Sequence, residues 1–151
     1  MNQTAQDRTV RAMKLFLGGG LLMISASLWA ACTVGTSGIA FGGYDPFVNQ
    51  DVDSVANISV NCDDTTPYSI ALSTGTGSYD SRVMTSGSHH LLYNLYVDAT
   101  LTTVWGDGAG HSATVSDAQA IANHTVYGRI PAGQNAYVGI YSDTVVITIT
   151  F

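Results

Sequence analysis

Tyr141-Ser142-Asp143-Thr144-Val145-Val146-Ile147-Thr148-Ile149-Thr150-Phe151 is the stretch that decides the fold. Tyr141, Val145, Ile147, Ile149 and Phe151 fall on one face, and Ser142, Thr144, Thr148 and Thr150 fall on the other. Asp143 alone breaks the apolar register, and Val146 alone breaks the polar one. Period-two alternation with β-branched residues predicts a strand with one face on a core. No turn or further apolar segment follows it, so its free edge is expected to lack a partner. Long apolar-faced edges are aggregation hazards that most proteins cover.

Working outward, every other apolar segment downstream of Ala31 is short, β-rich and bounded by turn residues. Strands are predicted at Ile39–Phe41, Val55–Cys62, Tyr68–Ser73, Arg82–Thr85, Leu91–Val97, Thr103–Trp105, Val126–Ile130 and Gly139–Phe151. Gly42-Gly43, Asp63 to Pro67, Gly75-Thr76-Gly77, Gly106-Asp107-Gly108 and Pro131 to Asn135 separate them and supply the backbone angles that turns need. This pattern predicts an all-β sandwich. Ser116 to Ala122 is the one helix-compatible stretch, read as a loop or a single turn.

The N-terminus reads differently. Arg8, Arg11 and Lys14 precede the apolar run Leu15 to Ser27, and small residues occupy most of Ser25 to Ala31. This predicts a signal peptide over residues 1–30, with cleavage after Ala30 and Met13 as an alternative start. Gly18 to Gly20 interrupt the run, which disfavours a membrane anchor. Lipidation of Cys32 is a further alternative, but Trp29 stands where an aliphatic residue is wanted, and Cys62 would lose its partner. The domain over residues 31–151 then keeps ten Asp, no Glu or Lys, and only Arg82 and Arg129, a net charge of −8 with histidines neutral. Such a surface argues against nucleic acid and anionic membrane as partners. In a secreted chain, Cys32 and Cys62 are expected to form one disulfide; a metal pair lacks further ligands at suitable spacing.

Several motifs together are specific. Leu92-Tyr93-Asn94-Leu95-Tyr96, Thr103-Val104-Trp105-Gly106-Asp107-Gly108, Val126 to Gln134 and Gly139 to Val145 occur in that order. They follow Cys32-Thr33-Val34, Ala40 to Asp45, Ile58 to Cys62, and Arg82 with Met84. This set resembles the spore coat protein U domain family over essentially all of Ala31 to Phe151. The resemblance implies a subunit of an archaic chaperone–usher system: an incomplete immunoglobulin-like β-sandwich lacking its final strand. It implies completion first by a periplasmic chaperone, then, at an outer-membrane usher, by the donor strand of a neighbouring subunit. Tyr141, Val145, Ile147, Ile149 and Phe151 would form one wall of the acceptor groove. The implied destination is a cell-surface pilus or a spore or cyst coat.

One departure matters. Polymerising members carry a donor segment ahead of the first cysteine, and cleavage after Ala30 leaves only Ala31 there. The expectation is therefore a tip or terminal subunit. Cleavage further upstream, leaving Leu22 to Trp29 as donor, is the alternative.

Site-like features read blandly. His89-His90 project to opposite faces of a strand, and with His111 or His124 they make no convincing metal set. The Asp residues lack the spaced calcium loop and its terminal Glu. Asp107 reads as a turn former, and Asp143 as a structural hydrogen-bonding residue. Neither a Gly-x-Ser-x-Gly elbow nor a phosphate loop is present, so no enzyme and no cofactor are expected. Asn57-Ile58-Ser59 and Asn123-His124-Thr125 match the glycosylation sequon by coincidence. Tyr44 and Phe47 are candidates for a surface-contact patch, which makes an adhesin module the competing function.

Overall fold

The computed structural model describes residues 31–151. The segment read as a signal peptide lies outside them. Ten strands follow one another: β1 (Cys32–Thr36), β2 (Val52–Cys62), β3 (Tyr68–Leu72), β4 (Arg82–Ser86), β5 (His89–Tyr96), β6 (Val104–Trp105), β7 (Ser112–Ala113), β8 (Val115–Asp117), β9 (Ile121–Ile130) and β10 (Ile147–Thr150). One sheet runs β1-β2-β9-β5-β6-β7, with β4 also paired to β5, and the other runs β10-β3-β8. All pairings are antiparallel except the short β6–β7 contact. The architecture is an incomplete immunoglobulin-like β-sandwich, its sheets not closed on each other.

Alternation fixes which face is buried. In β2, Ala56, Ile58, Val60 and Cys62 point inward and are buried, while Asn57, Ser59 and Asn61 point outward and are exposed. Tyr93 and Leu95 of β5 extend this inner face within the same sheet, and Ile70 and Leu72 of β3 complete the core from the other. Trp105 is fully buried and donates its indole N–H to the Ile70 carbonyl at 3.0 Å, tying β6 to the second sheet. Gly87, at φ +59°, makes the two-residue connection between the paired residues Ser86 and His89. Cys32 and Cys62 face each other across β1 and β2 with their Cα atoms 4.0 Å apart and are joined by a disulfide. A sulfur engaged in that bond has no valence left for a lipid.

Four expectations need correction. Ile39–Phe41 is not a strand. The chain pairs with β2 only through Thr36, and beyond Ser37 the contact with β2 is a side-chain bond, Ser54 Oγ donating to Ala40 O at 2.6 Å, with no backbone ladder. Ser116 to Ala122 is neither loop nor helical turn alone: Val115–Asp117 pairs with β3, and β9 begins at Ile121, five residues before the expected start. The expected terminal strand contracts from Gly139–Phe151 to Ile147–Thr150. Cys32–Thr36 and Ser112–Ala113 are strands that the sequence reading did not predict.

Candidate functional site

The inward faces of the first and last segments do not meet. Val34 sits opposite Val60, which is fully buried, yet Val34 itself is 42% exposed because none of the described residues pairs with β1 on its free side. Past Thr36 the same bank continues through Ile39 and Phe41, which rest on Gly128 of β9. A Cβ at Gly128 would lie 2.5 Å from Ile39 Cδ1 and 2.8 Å from Phe41 Cζ, so only glycine permits this seat. The Phe41 ring meets the Tyr93 ring edge-on at 5.8 Å.

Tyr141 to Ile147 forms the opposite bank. Its alternation is real: Tyr141, Asp143, Val145, Ile147 and Ile149 are half-buried, and the even-numbered residues between them are exposed. Ser142 exchanges backbone hydrogen bonds with Thr85 at 2.9 and 3.1 Å, and Val146 accepts from Ser73 N at 2.9 Å. Even-numbered backbone groups therefore point into the sandwich sheets, and odd-numbered ones point to the open side. Among the described residues, the backbone N–H and C=O of Asp143 and Val145 have no hydrogen-bond partner.

Between the banks runs a groove of about 400 Å³ floored by Ile58, Leu72, Met84, Tyr93, Leu95 and Val126. It opens without a break, through Ile39, Phe41, Met84 and Tyr141, into a wider mouth of about 1250 Å³. Tyr44 to Phe47 and Gly133 to Ile140 line that mouth. Tyr44 is half-buried, its hydroxyl accepting from Gln134 N at 2.7 Å, whereas Phe47 is 95% exposed and Ile140 91%. The two aromatics proposed for contact thus sit in one mouth but in different settings. Of the residues assigned to the far wall, Tyr141, Val145 and Ile147 line the groove. Ile149 continues the half-buried row. Phe151 is 60% exposed, its ring 6.1 Å from that of Tyr68.

Asp143 holds the far bank where the ladder is missing. Its Oδ1 accepts from Thr76 N at 3.1 Å and Thr76 Oγ1 at 2.9 Å, and its Oδ2 accepts from the Tyr93 hydroxyl at 2.8 Å. Burial first, and the neighbouring carboxylate second, push the Tyr93 phenol well above its usual range. Gly75 adopts φ +60°, and a Cβ there would collide with the carboxylate.

Sequence reasoning assigned no role to the residues that brace this frame. Arg82 is fully buried and meets no carboxylate. Its donors reach Ser73 O at 2.9 and 3.0 Å, Asn94 Oδ1 at 2.6 Å and Trp105 O at 2.7 Å, and its guanidinium lies 5.5 Å from the Tyr79 ring centroid. Burial lowers its pKa. Gln134 extends β5 beyond the end of β9 by bonding Leu92 N and O through its side-chain amide at 2.7 and 2.8 Å. The available clue was an arginine opening a predicted strand, one of only two in a lysine-free domain.

The histidines are dispersed. His89 stacks on Tyr137 at 4.2 Å, His90 is exposed, His111 lies 3.7 Å from Asp80, and His124 contacts the Tyr68 hydroxyl at 3.0 Å. Among the described residues, no group of three or more His, Cys, Asp or Glu is placed to hold a metal ion.

Comparison with known proteins gives the frame a family. A family model described as Spore Coat Protein U domain matches residues 20–148. Protein U of Myxococcus xanthus is 31% identical over 146 residues, covering 83% of this chain and 80% of the relative. Among solved structures, one match is to the CsuC–CsuE chaperone–tip adhesion subunit pre-assembly complex from archaic chaperone–usher Csu pili of Acinetobacter baumannii. It aligns with a TM-score of 0.58 and 21% identity over 82% of this chain. The chain spans only 40% of that longer one, and the likeness speaks to the fold.

Proposed function

The chain belongs to the Spore Coat Protein U domain family, and from that we propose that it is a secreted structural subunit of an archaic chaperone–usher surface fibre. One observation carries the reading: an apolar groove is lined on both banks by half-exposed side chains, and unpaired backbone groups of Asp143 and Val145 edge its far bank. That combination is what strand addition recognises, main-chain hydrogen bonds for affinity and alternate pockets for side-chain choice. A periplasmic chaperone would fill the groove first, and a neighbouring subunit's donor strand would replace it at an outer-membrane usher. The role is structural, at the cell surface, with neither a cofactor nor nucleic acid involved.

Within the fibre we assign the chain a tip or terminal position. This rests on cleavage after Ala30, which leaves Ala31 alone ahead of Cys32. Cleavage further upstream, leaving Leu22 to Trp29 as a donor segment, is the alternative. A second reading, an adhesin module, draws on the exposed Phe47 and Ile140 at the groove mouth.

Co-expression with a periplasmic chaperone of the archaic class tests the first reading. A stable one-to-one complex is expected, and a chain that forms no complex with the chaperone would refute it. N-terminal sequencing of the complex places the mature start. A start well ahead of Ala31 would end the terminal assignment. Binding of the strand-complemented subunit to abiotic or glycan-coated surfaces would support the adhesin reading.

A further inference from the structure

Asp143 occupies a peculiar place. It is the single carboxylate in the inward register of the far bank, in a groove otherwise lined mainly by apolar groups. The segment around it crosses from one sheet to the other: Ser142 pairs with Thr85 of β4, and Val146 bonds Ser73 beside β3. Between those anchors no backbone ladder supports residues 143–145. The carboxylate supplies what the ladder does not, through Thr76 N, Thr76 Oγ1 and the Tyr93 hydroxyl. Charge-assisted bonds of this kind are the stronger ones, and the glycine at position 75 gives the carboxylate the room to make them.

We propose that Asp143 is a positioning residue for strand capture, latching residues 141–146 in extended form so that the odd-numbered backbone groups face the groove before a donor arrives. The inference rests on the groove reading above and adds the residue that keeps the groove open for docking. Without the latch, no backbone bond between Ser142 and Val146 opposes collapse of Val145 onto the apolar floor, because burying half-exposed apolar surface is favourable. The anchors on either side remain: Ser73 O is held by buried Arg82, and Ser73 Oγ accepts from Val146 N at 2.9 Å. The latch therefore acts on the bank's geometry more than on the fold.

The test uses the full chain and a fluorescein-labelled peptide, Lys-Thr-Val-Thr-Val-Thr-Val-Thr-Lys, whose lysines suit the acidic domain. Capture is followed by anisotropy well below the melting temperature, with amide exchange measured in parallel. If the wild type fails to capture the peptide, the groove reading itself fails. If it captures, Asp143→Ala is expected to weaken capture at least tenfold and to speed exchange of the Thr76 and Thr144 amides, both of which donate to the carboxylate, by a similar factor. Thr76→Val, which removes one of the three bonds without removing the charge, should lose about threefold and keeps the test alive if Asp143→Ala does not fold. Val60→Ala, a buried change away from the groove, serves as the stability control and should capture like the wild type. Capture by Asp143→Ala within twofold of wild type, or a matching loss in Val60→Ala, overturns the latch while leaving the groove standing.

Discussion

Replacing Ile147 by Asp separates folding from capture. Ile147 pairs with Leu72, lines the groove and is half-buried in the free subunit. The carboxylate would keep part of its hydration there, so the free fold loses about 2 kcal/mol, roughly half from lost apolar burial and half from partial desolvation. A docked strand would cover the same position and strip the rest of that water. Burying an unpaired charge costs about 4 kcal/mol more, which is about a thousandfold in affinity at 1.4 kcal/mol per decade. Thr148 is next door, exposed and on the opposite face, so Thr148→Asp should stay within about 0.5 kcal/mol of wild type. Urea melts give the folding term, and chaperone co-purification with peptide anisotropy gives the capture term. Ile147→Asp that still captures within tenfold would refute the assignment of this face to the groove. Equal losses in both variants would show that charge, not burial, is responsible.

Other outcomes follow from the same geometry. Arg82→Met strips Ser73 O and Trp105 O of their guanidinium donor and leaves Asn94 Oδ1 with Leu95 N alone, and a loss of about 3 kcal/mol is expected in urea melts because buried acceptors left short of donors are penalised. Removing the disulfide with Cys32→Ala and Cys62→Ala frees a loop whose ends are 30 residues apart. The chain-entropy cost is about 3.7 kcal/mol, and non-reducing against reducing melts of the wild type should show the same gap. The paired guanidinium of Arg129, at 2.7 Å from both oxygens of Asp53, holds that carboxyl below its ordinary 3.8. A lowered carboxyl pKa stabilises the fold above the unfolded value, and the benefit is lost as pH falls through the folded one. Asp53→Asn should therefore flatten the acid limb of melting temperature between pH 4 and 2, by about 0.5–1 kcal/mol for so exposed a pair, and an unchanged limb would refute the assignment.

Legibility varied with the reach of the interactions. The faces of β2 and of the last segment were readable because period two is a local property. The start of β9 was not: His124 sits in the inward register among Ala122, Val126 and Ile130, and that polar residue hides the period. There His124 meets Tyr68, a partner 56 residues away. The five-residue β1 has little apolar signal of its own, and its register is set by β2 and the disulfide. Ile39–Phe41 misled in the opposite direction. It has strand-forming residues, but strand structure needs a neighbour's backbone ladder, and β2 gives it only the Ser54 hydroxyl.

By itself the sequence determined which side chains share a face, where the chain turns, and that two cysteines are available to close the N-terminal loop. Those features depend on residues near one another along the chain. Only the tertiary structure decided that Tyr141 to Val146 has strand alternation without a strand's ladder. It likewise decided that Arg82 is caged by neutral acceptors 9, 12 and 23 residues away, and that Asp143 reaches back 67 residues to Thr76. Hydrogen bonding is directional and each partner is fixed by the packing of two sheets, so no local pattern of residue types encodes it.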